Sequence, residues 1–158
     1  MAADPSLVPM PLFDRLVDRR PDLRRESPPM RTLDRRGLLE SVRRELENLF
    51  NSRNSSPAHR LSTSELTVAD YGIPDFAPLG PSNPDDATEL ADLLRRAVEA
   101  FEPRLSGVEV EIDVKAGGDR GLAARVRGFL TVDDVPQPVS FPALLRSSDS
   151  EVGIDGDA

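Results

Sequence analysis

Residues 83–115 read NPDDATELADLLRRAVEAFEPRLSGVEVEIDVK, and within this stretch the apolar pattern changes period once. Up to Phe101, the apolar positions Leu90, Leu93, Leu94, Ala97, Val98 and Phe101 recur every three or four residues, the spacing of one helical face. Asn83 is placed to cap the first turn. Pro84 fits the first helical position, where no N–H is needed, and Asp85 and Asp86 face the positive end of the helix dipole. Beyond Gly107 the period is two. Val108, Val110, Ile112 and Val114 alternate with Glu109, Glu111, Asp113 and Lys115, the pattern of a strand with one buried and one acidic face. Pro103 cannot continue the helix, and Gly107 is expected to release the chain into the strand.

On the C-terminal side, Gly117-Gly118-Asp119-Arg120-Gly121 reads as a hairpin connection. The returning strand sets Leu122, Ala124, Val126, Gly128, Leu130 and Val132 against Arg125, Arg127 and Thr131. For the buried faces to coincide, paired residue numbers must sum to an even value, which predicts Glu111 across from Arg125 or Arg127. Asp133-Asp134-Val135-Pro136 turns the chain. Val139 and Phe141 mark a third strand, which Pro138 and Pro142 push toward an edge of the sheet. Residues 147–158 read as an acidic, mostly disordered tail in which Val152 and Ile154 form a brief strand if a partner offers an edge.

On the N-terminal side, Tyr71-Gly72-Ile73-Pro74-Asp75-Phe76 is a loop fixed by Gly72 and Pro74, with Tyr71 and Phe76 tucked onto the core. Leu61 to Val68 reads as a short helical turn. Leu38, Leu39, Val42, Leu46, Leu49 and Phe50 form a second amphipathic stripe, capped by Asp34 or Thr32 and closed by the polar run Asn51 to Pro57. Leu12, Phe13, Leu16 and Val17 give a two-turn amphipathic helix that Pro21 stops. So short a helix must pack on something, and we expect a partner. Residues 1–11 are expected to be disordered, and residues 21–31 read as a linker rich in proline and arginine. The organisation is thus an arm (1–31), an α+β domain (32–146) and a tail (147–158). The fold class is two main amphipathic helices packed on a small, mainly antiparallel sheet, with a short N-terminal helix.

Charge is divided unevenly along the 158 residues. Residues 1–60 carry 12 arginines against 9 carboxylates, a balance of +3, whereas residues 61–158 carry 8 cations against 19 carboxylates, a balance of −11. An acidic body repels phosphates, and 4% aromatic residues leave little for base stacking, so no nucleic-acid partner is expected. No apolar run is long enough to span a bilayer, so no direct membrane insertion is expected. Cysteine is absent, which excludes disulfides and thiolate metal sites and suits the cytoplasm.

The candidate chemistry is sparse. Glu45 and Glu47 lie two apart on one helix and point to different sides, so they do not form a glycosidase pair. His59 stands alone in a Ser/Pro-rich loop. Asp85 and Asp86 are explained by the helix start, and Gly117-Gly118 lacks the phosphate-loop pattern. No metal or cofactor is expected. The unusual feature is Phe101-Glu102-Pro103-Arg104-Leu105. A helix stop needs only the proline, yet here a carboxylate and a guanidinium flank a rigid kink anchored on both sides. That presentation suits a bidentate contact to a partner, and equally a local ion pair.

Four segments occur in a telling order: Leu12-Phe13-Asp14-Arg15-Leu16, Val42 to Arg53, Tyr71 to Phe76 and Phe101 to Leu105. Together they resemble the TssE family, baseplate subunits of the type VI secretion system, within a wider group of contractile-tail baseplate proteins labelled "lysozyme-like". The resemblance implies a wedge component and sheath initiator, assembled on the inner face of the cytoplasmic membrane. It implies partners among the wedge subunits TssF, TssG and TssK and the sheath proteins TssB and TssC. Glu102, Pro103 and Arg104 would clamp a helical bundle of wedge subunits, and the sheet edge near Val139 and Phe141 would pair with sheath strands. No enzymatic activity is implied. The alternatives are a peptidoglycan-cleaving glycosidase and a baseplate part of a phage or other contractile particle.

Overall fold

The computed structural model of the chain describes residues 7–17, 21–24, 31–62, 65–76, 79, 83–113, 122–132, 134–145 and 153–154. The fold is α+β. Two long helices and a four-stranded sheet carry the core, with a short helix outside it.

The first strand β1 (Val8–Pro9) pairs antiparallel with β2 (Thr32–Leu33), bracketing α1 (Leu12–Leu16). Residues 7–11 are therefore not disordered as expected. Their placement rests on the Met10 N–H donating to the Arg31 carbonyl at 2.8 Å and on burial of Met10 and Leu33. Helix α2 (Arg35–Asn51) begins at Asp34, whose carboxylate accepts from the Gly37 N–H at 2.7 Å. It buries Leu38, Val42, Leu46, Leu49 and Phe50, and also Ser41, a polar residue within the apolar stripe.

After α2, β3 (Arg53–Asn54) pairs in parallel with β4 (Ile73–Pro74), a contact of two residues per strand that no periodicity announces. Gly72 makes it possible. Its φ is +110°, and a Cβ there would lie 2.7 Å from the Ser52 carbonyl oxygen. Helical turns fall at Ala58–Ser62 and Val68–Asp70, flanking rather than filling the expected Leu61–Val68 turn. The organising group is Asp70, which is buried. It accepts from the Arg60 guanidinium at 3.1 and 3.2 Å, from the Thr67 N–H and hydroxyl at 2.9 Å each, and from the Ser56 hydroxyl at 2.8 Å. Arg60 chiefly, then the Thr67 N–H and the hydroxyls, hold the Asp70 carboxyl well below the ordinary range.

Helix α3 (Pro84–Phe101) starts as expected, with the Asn83 side chain accepting from the Asp85 N–H at 3.1 Å. It buries Leu90, Leu93, Leu94, Ala97 and Val98. The sheet runs β5-β6-β7-β8, from β5 (Leu105–Asp113), β6 (Leu122–Val132), β7 (Val135–Leu145) and β8 (Gly153–Ile154). The expected register holds: Glu111 lies opposite Arg125 and Glu109 opposite Arg127, with an Arg127–Glu111 ion pair at 2.6 Å. Gly107 sits inside β5 rather than before it. At φ +58° it forms a bulge that shifts the register between Ser106 and Glu109. The expected hairpin at Gly117–Gly121 and most of the tail lie outside the described residues. The strand expected near Val152 and Ile154 is β8, and the edge it joins belongs to its own chain, at Ala143 and Leu144.

The third strand, expected at an edge, is covered by β8 at Ala143 and Leu144 and is open only over residues 136–142, and the outer sides of β5 and β7 differ chemically. β7 pairs continuously with β6 although it contains Pro136, Pro138 and Pro142. A proline has no N–H to give, so these even-numbered positions face away from β6. Along residues 136–142 the outer edge of β7 therefore offers a single N–H, that of Ser140. By the same alternation, Arg125 and Arg127 bond toward β5, so Val110 and Ile112 present both N–H and C=O on β5's outer side. No described strand pairs with that side.

Candidate functional site

The helix-to-strand junction is built by three constraints. The Glu102 N–H closes the last turn of α3 on the Val98 carbonyl at 2.8 Å. Pro103 then turns the chain, and the Leu105 N–H returns to the Glu102 carbonyl at 3.1 Å. Tyr71 packs edge-on against Phe101, ring centres 5.3 Å apart, so the 71–76 loop braces the junction from outside. Burial first, then the nearby charges of Glu45 and Glu102, push the Tyr71 hydroxyl up from its ordinary value. Pro74 is buried in β4, Asp75 is exposed, and Phe76 lies under the Arg53 guanidinium at 4.8 Å.

Within this frame Glu102 is 3% exposed, and its carboxylate is gripped from one side. Arg104 donates through Nε to Oε1 at 2.7 Å and through Nη2 to Oε2 at 2.5 Å, a fork-on-fork pair, and its backbone N–H adds a third bond at 3.2 Å. Glu102 is thus the holder and Arg104 the presented group, with a quarter of its side chain open to solvent.

Arg104 also reaches the N-terminal arm. Its Nη1 donates to the Ser41 hydroxyl at 2.8 Å, and that hydroxyl donates to Oδ2 of Asp14 at 2.7 Å. The Arg44 guanidinium pairs with the other oxygen of Asp14. Two carboxylates and two guanidiniums thus surround one buried hydroxyl, so the burial of Asp14 and Glu102 is compensated in charge and in hydrogen bonds. Asp14 is the buried residue of α1. The apolar side chains of that helix point the other way, Leu12 and Leu16 each 73% and Phe13 63% exposed.

The structure links α1, which carries Leu12, Phe13 and Leu16, to Arg104 beside Glu102 and Pro103 through Asp14 and Ser41, while the three apolar side chains point away from that cluster. It does not bring Val139 and Phe141 there. These lie on β7 with side chains buried in the core, leaving only their strand for a partner. Sequence reasoning missed Asp14, Ser41 and Arg44. The available signal was Ser41, a hydroxyl at a core position of the α2 stripe, which needs a polar partner wherever it is buried.

Among protein families, the model described as baseplate wedge protein gp25 matches residues 36–135, from the start of α2 to the start of β7. No curated protein and no solved structure gives a significant match.

Proposed function

The chain belongs to the baseplate wedge protein gp25 family, and from that premise we propose that it is the TssE-like wedge subunit of a type VI secretion baseplate. A structural role in the baseplate of a contractile particle comes with the family. The finer assignment rests on the order of the four segments, above all on the Arg104 junction. In this reading Arg104, held by Glu102 and Pro103, locks a helical bundle of neighbouring wedge subunits, among TssF, TssG and TssK. The observation that carries it is the fork-on-fork pair: Glu102 fixes Arg104 while leaving part of its guanidinium open.

Sheath initiation on TssB and TssC follows from a sheet edge able to accept a strand. The prolines of β7 favour β5 for that task over the edge at Val139 and Phe141, because β5 offers a donor and an acceptor at both Val110 and Ile112. The subunit is read as non-catalytic. Both oxygens of Glu102 are engaged by Arg104 and the residue is 3% exposed, which leaves neither oxygen free to meet a substrate.

The test is the double variant Glu102→Gln/Arg104→Met, which removes both charges together and leaves neither buried alone. It is expected to fold, with unchanged circular dichroism, and to lose co-purification with the wedge subunits from cells. Retained co-purification of a folded variant would overturn the clamp.

A further inference from the structure

Helix α1 is tied to the rest of the protein by a carboxylate rather than by its apolar side. Asp14 is 5% exposed, whereas Leu12, Phe13 and Leu16 point to water. Five residues cannot persist as a helix on their own hydrogen bonds. Arg15 does not help to dock them, since its Nε donates within the arm, to the Met10 carbonyl at 2.9 Å. Among the described residues, the hydrogen bonds that α1 makes to α2 are those of Asp14. One of its oxygens accepts from the Ser41 hydroxyl at 2.7 Å and the other from Arg44.

The receiving half is built without α1. Ser41 and Arg44 lie three apart on α2 and so share a face. Arg104 is fixed by Glu102 through Nε, Nη2 and its backbone N–H, and its Nη1 donates to the Ser41 hydroxyl at 2.8 Å. That hydroxyl accepts on one side and has one proton to give on the other, where it meets Asp14. Charge points the same way. With Asp14 in place two carboxylates face two guanidiniums; without it Glu102 alone would face both, around a hydroxyl that is 2% exposed. We propose that Ser41, Arg44 and Arg104 form a carboxylate-binding site of the domain, and that α1 is a displaceable strap whose Asp14 occupies it. Ser41 is the positioning residue, because it relays the occupancy of the site to Arg104. Docking of the strap and the setting of Arg104 are then one two-state event. A strap that leaves its apolar side in water gives up little apolar burial on leaving, provided another carboxylate takes its place. All these contacts lie within one chain, so the inference holds whether or not the chain is a TssE-like subunit.

The test uses the full chain carrying Asp14→Ala, with acetate as the carboxylate supplied in solution and chloride at equal ionic strength as the control. Alanine is the best helix former, so loss of α1 in this variant cannot come from propensity. The Cα chemical shifts of residues 12–16 are expected to move from helical to coil values, while amide exchange in α3 keeps the parent rate. Acetate is expected to shift the side-chain N–H resonances of Arg44 and Arg104 in the variant and to leave them unmoved in the parent, where Asp14 fills the site. Adding Ser41→Ala is expected to keep the response of Arg44 and to remove that of Arg104. Helical shifts retained at 12–16, an equal acetate response in parent and variant, or no response in either would overturn the site. An Arg104 response that survives Ser41→Ala would refute the relay. Loss of α3 protection in Asp14→Ala would refute the strap, because a displaceable segment must leave the domain folded.

Discussion

Helices α1 and α3 both lead to Arg104, α3 through the chain that follows it and α1 through Asp14 and Ser41, and they use opposite logic. In α3, Leu90, Leu94, Ala97 and Val98 face inward, while Asp92, Arg95, Arg96 and Glu99 lie on the outer side in a ladder of ion pairs. In α1 the carboxylate faces inward and Leu12, Phe13 and Leu16 face outward. A helix of the first kind is held by the water it excludes. One of the second kind is held by a few directed polar contacts, and its apolar side remains unsatisfied until something covers it. The difference separates a helix that buries apolar surface within the domain from one that leaves it exposed.

The largest effect is expected on the α3 side. Leu94 is fully buried, and Leu94→Ala is expected to cost about 2–5 kcal/mol in urea unfolding, the range for deleting a core leucine side chain. A cost near zero would break the contrast by showing that α3 is not the folding helix.

Smaller in effect is acid titration of the other polar anchor, Asp70, which holds the 56–70 segment much as Asp14 holds α1. Its folded-state value lies below the ordinary aspartate range, so its contribution is complete above that range and is lost as pH falls through the folded value. Asp70→Asn is therefore expected to lower stability at neutral pH and to flatten the acid limb of the stability profile. An unaltered acid limb would remove Asp70 as an anchor. Least of all is expected from the outer face of the sheet. The Arg127–Glu111 pair is about half exposed on both sides, and Glu111→Ala is expected to cost no more than about 1 kcal/mol. A larger loss would show that surface pairs stabilise this sheet beyond setting its register.

How much of this was legible in the sequence follows the same division. The α3-to-β5 passage was readable because periodicity is a local signal, and the register was readable because the arginines and acids of β5 and β6 alternate in matching phase. Neither the β1–β2 nor the β3–β4 pairing was readable. Each spans two residues per strand, too few for any pattern, and each joins segments that no local spacing connects. The bulge at Gly107 was mistaken for the start of the strand, since a glycine at positive φ and a glycine at a boundary look alike in one dimension. At the site, the charged kink at 102–104 stood out, with a partner contact and a local ion pair both open; the structure shows the ion pair, with Glu102 turned onto Arg104. The link to α1 was hidden because Asp14, Ser41 and Arg104 are distant in sequence and no spacing rule connects them.

The central claim, that α1 serves assembly rather than folding, is tested most directly by Leu12→Ser/Phe13→Ser/Leu16→Ser in the full chain. Urea unfolding and binding to the purified wedge subunits would be measured on the same preparation. Because these side chains are already exposed, stability is expected to stay within about 0.5 kcal/mol of the parent while wedge binding is lost. A variant that loses stability and still binds the wedge would contradict the account.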